Sequence, residues 1–169
     1  MKRLVIDRQA IRINLQTIKE RAGASSIYAN LSGNAQGMGL LEIATLLRNE
    51  GIRTFIVSDV SAASLLRKKG FIEENIMMLR PSVDKNELEA MIDLNVICTV
   101  SSLDTAVILS GIAEARSTVV EVQIRVDTGF GRYGFQPSEV DKIVSVYRNM
   151  SSLAITGVFT RISALYGKS

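Results

Sequence analysis

The chain has 169 residues, 47% of them hydrophobic, and its 20 basic and 17 acidic side chains leave a net charge of +3. This composition suits a folded globular domain and excludes a disordered chain. The charge is too weak and too dispersed for a nucleic-acid surface, and no apolar run is long enough to cross a membrane, so we expect neither nucleic acid nor membrane as a partner.

Residue types that commonly carry catalysis or bind metals are scarce. Histidine is absent, which removes imidazole ligands and the usual general base at neutral pH. Cys98, the single cysteine, lies in the apolar run Val96–Val100 and is expected to be a small buried side chain. We therefore predict no metal site and no disulfide. The N-terminus lacks the pattern of a signal peptide, which predicts a cytoplasmic protein.

Predicted helices and strands alternate along the chain. Asp7 is placed to cap a helix over Arg8–Ala22, which Gly23 ends. Pro137 suits the first position of a helix that reaches about Asn149. The remaining predicted helices are Leu40–Glu50, Ser61–Lys69, Lys85–Leu94 and Leu103–Glu114, and the predicted strands are Ile27–Leu31, Thr54–Val57, Ile76–Leu79, Val96–Val100, Thr118–Val126 and Leu153–Phe159.

The alternation predicts an α/β fold with a parallel sheet, because most strands are continuous apolar runs. The stretch Gly33–Gly39 lacks the Gly-x-Gly-x-x-Gly spacing of a dinucleotide fold. A helix before the first strand and glycine-rich loops after the first and fifth favour a barrel, which normally has eight strands. We predict one domain, residues 1–169, forming a partial (β/α) TIM-type barrel of about six parallel strands with flanking helices, which oligomerisation completes or rearranges.

Two glycine-rich loops carry the candidate functional residues. In the first loop, Ser32, Asn34 and Gln36 either hydrogen-bond a small ligand or are ordinary polar loop residues. In the second, Arg132 either grips a carboxylate or phosphate or forms a surface pair with Asp127. Both interpretations of each loop are open at the level of sequence.

Several stretches resemble the alanine racemase family. Val126–Arg132 reads Val-Asp-Thr-Gly-Phe-Gly-Arg and is similar to a family signature that has methionine in place of Phe130. Ala29–Gly39 resembles the segment in which a lysine of those racemases holds pyridoxal phosphate (PLP) as a Schiff base. Ile6–Asn14 and Gly157–Thr160 resemble further family motifs. The resemblance covers nearly all of this chain but only the N-terminal half of a full racemase, and it implies a PLP-binding barrel.

The resemblance also implies that the catalytic residues are not intact. Ser32 stands at the position of the Schiff-base lysine. Gln36 replaces a tyrosine that binds the cofactor phosphate, and Arg161 replaces a histidine that packs on the pyridine ring. Arg132 keeps the position near the cofactor oxygen and the substrate carboxylate, whereas Arg125 stands where many relatives have a lysine that orients it. We expect Gln36, Arg132 and Arg161 to be vestigial cofactor positions, and we expect no bound PLP.

These features together predict an alanine-racemase-derived barrel fragment, engineered or degenerate, that is catalytically inactive, structural and self-associating, with a homodimer favoured. The alternative is a PLP-dependent amino-acid racemase half, or a PLP- or anion-binding protein, that needs a complementary chain. A third hypothesis is a small-molecule binder in which Arg132 and the loop Gly37–Gly39 hold an anion.

Overall fold

The computed structural model describes residues 5–162 and divides into two compact units, Met1–Met77 and Met78–Ser169. The described elements of the first unit are α1 (Arg8–Ala22), β1 (Tyr28–Asn30), α2 (Ser32–Gln36), α3 (Leu40–Asn49), β2 (Thr54–Val57), α4 (Val60–Lys68) and β3 (Asn75–Met78), whose last residue begins the second unit. β1 and β2 are parallel, with Tyr28 opposite Thr54 and Asn30 opposite Ile56.

Helix α1 has the predicted bounds because its two end signals act locally. Asp7 Oδ1 accepts hydrogen bonds from the Gln9 and Ala10 amides at 2.8 and 3.1 Å. Gly23 ends the helix at a φ of 58°, and its amide donates to the Lys19 carbonyl. These contacts satisfy backbone groups that a helix end would otherwise leave unpaired.

Two phenylalanines anchor the core of the first unit. Phe55 and Phe71 are fully buried, and their ring centroids lie 5.6 Å apart in an edge-to-face arrangement. The Arg48 guanidinium lies over the Phe71 ring, 4.2 Å from its centroid. Edge-to-face packing and cation–π contact each favour this arrangement beyond the burial of apolar area.

The second unit contains three parallel strands and the helices beside them. Its described elements are α5 (Lys85–Asp93), β4 (Val96–Val100), α6 (Leu103–Ala115), β5 (Val120–Arg125), a 3₁₀ turn (Pro137–Glu139), α7 (Val140–Asn149) and β6 (Leu153–Phe159). β5 pairs with β4 on one side and with β6 on the other, so that Arg125 lies opposite Phe159. Cys98 is buried in β4 as predicted.

Two predicted boundaries in the second unit are corrected. The helix expected from Pro137 begins as the 3₁₀ turn and becomes α-helical at Val140, after a capping box between Gln136 and Glu139. The fifth strand begins at Val120 instead of Thr118, because the Thr118 amide still donates to the Ala113 carbonyl at the end of α6. At Thr118 a helix-end hydrogen bond takes a residue that the apolar pattern assigned to the strand, whereas at Pro137 only the type of the first helical turn differs from the prediction.

The alternation of six strands with helices, and the parallel pairing within each unit, agree with the predicted α/β fold class. The prediction of one domain over residues 1–169 stays a prediction. Across residues 5–162, no helix combines the length and the apolar character that a membrane span would need.

Candidate functional site

The first glycine-rich loop follows β1 and folds as the left-handed turn α2. The φ angles of Gly33, Asn34, Ala35 and Gln36 are 63°, 56°, 52° and 55°. Glycine adopts this conformation freely, whereas a residue with a side chain costs about 1–2 kcal/mol there. The turn therefore holds three consecutive strained residues, and such strain persists only where the surrounding contacts enforce it.

Two asparagine side chains supply part of that enforcement. Asn30 Oδ1 accepts a hydrogen bond from the Ser32 amide at 3.0 Å, and Asn34 Oδ1 accepts one from the Leu40 amide at 2.8 Å. The second bond satisfies a free amide at the start of α3. The sequence left open whether the polar residues of this loop bind a ligand or are ordinary loop residues. Asn34 is an ordinary loop residue, because its side chain bonds to the backbone of α3.

Ser32 and Gln36 are in a different situation. The Ser32 hydroxyl is buried and has no hydrogen-bond partner among residues 5–162. A buried polar group without a partner costs about 1–3 kcal/mol. The Gln36 side chain is exposed. Ser32 therefore leaves an unsatisfied hydroxyl just beyond the carboxyl end of β1, where the resemblance predicts the family lysine.

The second loop, Val126–Phe135, closes on itself beyond the carboxyl end of β5. The Asp127 amide donates to the Phe135 carbonyl and the Phe135 amide donates to the Arg125 carbonyl, both at 2.9 Å. Gly134 lies inside this closure at a φ of 128°, and a Cβ built on it would lie 2.5 Å from the Asp127 nitrogen. A side chain at position 134 is therefore incompatible with the closed loop.

The Asp127 carboxylate organises the interior of this loop. It accepts hydrogen bonds from the amides of Gly129, Phe130 and Gly131 at 2.8–3.1 Å. These bonds, the one from Gly131 foremost, hold the pKa of Asp127 below its usual value. Of the two interpretations left open for Arg132, the surface pair with Asp127 does not form: no ion pair joins them within 4.0 Å, and the carboxylate accepts hydrogen bonds from the amides of its own loop.

The two predicted arginine positions of the second unit come together on one aromatic ring. The guanidinium carbons of Arg132 and Arg161 lie 5.8 and 4.2 Å from the Phe130 centroid. The third predicted position, Gln36, belongs to the first unit. Sequence reasoning assigned no role to Phe130; its place between two glycines, two residues before Arg132, is the signal that marks it.

Residues 6–164 match the family described as alanine racemase, N-terminal domain. The chain belongs to that family. A curated alanine racemase of Methylacidiphilum infernorum is 32% identical over 159 residues, which are 94% of this chain and 41% of that protein. The solved structure of alanine racemase from Clostridium difficile 630 matches with a TM-score of 0.83 at 28% identity, covering 91% of this chain and 40% of that one.

A further solved structure has the same fold. The alanine racemase from Bartonella henselae, described with covalently bound pyridoxal phosphate, matches with a TM-score of 0.83 at 24% identity, over 94% of this chain and 46% of that one. The chain thus spans less than half the length of these relatives. The matches confirm the predicted family and the predicted fold class, a partial (β/α) barrel of six parallel strands with flanking helices.

The two loops do not fit a covalently held PLP. A Schiff base requires a lysine amine, and neither Leu31–Gly39 nor Val126–Phe135 contains a lysine. Ser32 offers a hydroxyl at the position where the resemblance expects that amine. Three of the described lysines have other partners: Lys19 donates to the Glu50 carbonyl, Lys85 pairs with Glu89 and Lys142 pairs with Glu139.

Proposed function

We propose that this chain is a member of the alanine racemase N-terminal domain family that does not form the lysine Schiff base and acts as a non-catalytic, structural protein. The observation that carries the proposal is the Ser32 hydroxyl at the end of β1, which is buried and has no hydrogen-bond partner within residues 5–162. A hydroxyl forms no imine with an aldehyde, and it is not a base at neutral pH. Loss of the amine removes the covalent step on which the racemase mechanism of the family depends.

The test is a PLP titration followed by absorbance, borohydride reduction and intact mass. We expect no reduced adduct on the wild-type chain and a single adduct on Ser32→Lys, which returns an amine to the end of β1. Ser151→Lys is the matched control, because it adds an exposed lysine just before β6 and is expected to gain no adduct. A stoichiometric adduct on the wild-type chain contradicts the proposal, and so does the absence of an adduct on Ser32→Lys.

The second candidate is a PLP- or anion-binding half that works with a complementary chain. The observation that favours it is the second loop, where Arg132 and Arg161 share the Phe130 ring and have no carboxylate partner within 4.0 Å in the described part of the chain. Saturable binding of PLP without a reducible adduct would favour this candidate over a purely structural protein. Racemisation of L-alanine by the wild-type chain would contradict both.

We further propose that the chain associates as a homodimer through the edge of β1. β1 ends the strand order and, among the described strands, pairs with β2 alone. Beside it lies a groove of about 310 Å³ that no charged side chain of the described residues lines, so two copies can bring these faces together without repulsion between like charges from this lining. The residues that line the groove from α1 are Ile11, Leu15 and Ile18, and those that line it from β1 and α3 include Tyr28, Ala29, Ile43 and Leu47.

Light scattering over a wide range of protein concentration tests the dimer. Ile18, half exposed, is the residue to change: Ile18→Glu places a charge on the groove and is expected to shift the mass to that of a monomer. Val107→Glu, at a similarly exposed position of α6, is expected to leave the dimer intact. A monomeric wild-type chain, or a dimer insensitive to Ile18→Glu, contradicts this interface.

A further inference from the structure

Three arginines lie at the carboxyl ends of β5 and β6, and the charges of Arg132 and Arg161 act on Arg125. Arg125 is the last residue of β5, Arg132 lies in the loop that follows it, and Arg161 lies two positions beyond the end of β6. None of the three has a carboxylate within 4.0 Å among residues 5–162. Three positive charges therefore lie at the carboxyl ends of two neighbouring strands, and no carboxylate of the described residues is in contact with them.

Aromatic rings and a hydroxyl pair fix where these groups lie. Arg132 and Arg161 both approach the Phe130 ring, and the Arg125 guanidinium lies 5.5 Å from the Tyr133 centroid. The rings support the guanidiniums from the side and offer no acceptor for their N–H groups beyond the ring face. The hydroxyls of Thr128 and Thr160, 2.8 Å apart, tie the loop to the end of β6.

Arg125 is the buried member of the cluster. It is 5% exposed, its Nη1 donates to the Leu79 carbonyl at 3.3 Å, and its Nε has no hydrogen-bond partner in the described structure. Burial, and then the charges of Arg132 and Arg161, lower the pKa of Arg125. The charge of Asp127 raises the pKa of Arg125 and so opposes this lowering only in part. The Asp127 oxygens accept hydrogen bonds from loop amides.

We propose that Arg125, Arg132 and Arg161 form a binding site for a small, doubly charged oxyanion of the phosphate class. A tetrahedral dianion has enough acceptor oxygens to give one to each guanidinium, and it supplies the missing counter-charge. A monocarboxylate has two oxygens and one charge, so it satisfies the cluster less completely. The site lies within the second unit, and it goes beyond the proposed loss of Schiff-base chemistry without depending on it.

The test is calorimetric titration of the full chain with inorganic phosphate at low ionic strength and a pH at which phosphate is the dianion. We expect saturable binding at one site. Arg132→Gln and Arg161→Gln, both at exposed positions that the fold tolerates, are each expected to weaken it about tenfold or more. Arg148→Gln removes the same charge from an exposed position on α7 and is expected to leave the affinity within about twofold.

Four outcomes would overturn the proposal: no saturation, an affinity unchanged in Arg132→Gln and Arg161→Gln, an equal loss in Arg148→Gln, or acetate binding as tightly as phosphate. Arg125→Lys, which keeps the charge and loses the planar fork, is expected to weaken binding as well. The borohydride experiment separates this site from the proposed function. A lysine adduct with PLP would contradict the proposed loss of Schiff-base chemistry and would not bear on the phosphate site. Absence of phosphate binding would contradict the present inference, and with it anion binding at Arg132 and Arg161 in the second candidate, without bearing on the Schiff base.

Discussion

Replacing Gly134 by alanine tests how tightly the second loop is closed. The new Cβ would lie 2.5 Å from the Asp127 nitrogen, 2.8 Å from the Val126 carbonyl carbon and 3.0 Å from the Arg125 carbonyl oxygen. All three are backbone atoms, so no side-chain rotation relieves the contact. The φ of 128° adds strain of about 1–3 kcal/mol. Opening the loop to make room breaks two hydrogen bonds worth about 0.5–1.5 kcal/mol each.

We therefore expect Gly134→Ala to lower the free energy of unfolding by about 3–5 kcal/mol, measured by urea unfolding followed by far-ultraviolet circular dichroism. Gly131→Ala is the matched control. Gly131 has a φ of 73°, and no atom lies within 4 Å of a Cβ built on it. Gly131→Ala should lower the free energy of unfolding only by the cost of the left-handed conformation, about 1–2 kcal/mol. Equal losses in the two variants would refute the argument that backbone contact at Gly134 closes the loop.

Three further outcomes are expected. Asn34→Ala should lower the free energy of unfolding by about 1–2 kcal/mol in urea, because it removes the acceptor for the Leu40 amide at a left-handed position. Asn34→Gly removes the same acceptor without the left-handed strain and should cost less; equal losses would mean that the strain at position 34 contributes nothing. Asp127 has a lowered pKa in the folded chain, so its stabilising contribution is present above about pH 4 and is lost as the pH falls further. Asp127→Asn should therefore be less stable than the wild type at neutral pH and should approach the stability of the wild type in acid. A stability difference that does not change with pH would contradict this reasoning. Burial raises the pKa of Cys98 to about 12, so Ellman's reagent should react slowly with the native chain and rapidly with the chain unfolded in urea. A rapid reaction with the native chain would contradict the burial of Cys98.

The positions of most helices and strands could be predicted because their signals are local. α1 begins after Asp7 and ends before Gly23, as the capping pattern indicates. The strands Thr54–Val57, Val96–Val100 and Leu153–Phe159 have the predicted bounds, since each is a short run of mostly apolar, partly β-branched residues between turn signals. The helix at Pro137 was less accurate, because proline favours the first turn of a helix but does not fix whether that turn is α or 3₁₀.

The left-handed turn could not be predicted in the same way. Gly33 indicates a turn, but Asn34, Ala35 and Gln36 follow it in a conformation that local preference opposes. What enforces the conformation is a set of bonds to other parts of the first unit, among them the one from the Leu31 amide to the Ile56 carbonyl. Such contacts depend on strand pairing, and a single sequence does not reveal them.

The arginine cluster was predicted residue by residue but not as a cluster. The family resemblance assigned separate positions to Arg125, Arg132 and Arg161. Their convergence follows from the parallel register that places Arg125 opposite Phe159, a pairing between residues far apart in sequence. The burial of Arg125 and the occupation of Asp127 by amides follow from the same register and from the closure of the loop.

Because Asp127 accepts hydrogen bonds from the amides of its own loop, it determines which donors remain to select an anion at the carboxyl ends of β5 and β6. The amides of Gly129, Phe130 and Gly131 are rigid donors of fixed direction, and they already bond to a carboxylate supplied by the chain. The donors left facing solvent belong to Arg132 and Arg161, whose long exposed side chains attract an anion mainly through their charge. An anion recognised here competes with every ion in solution, so the salt concentration of the compartment would govern its occupancy.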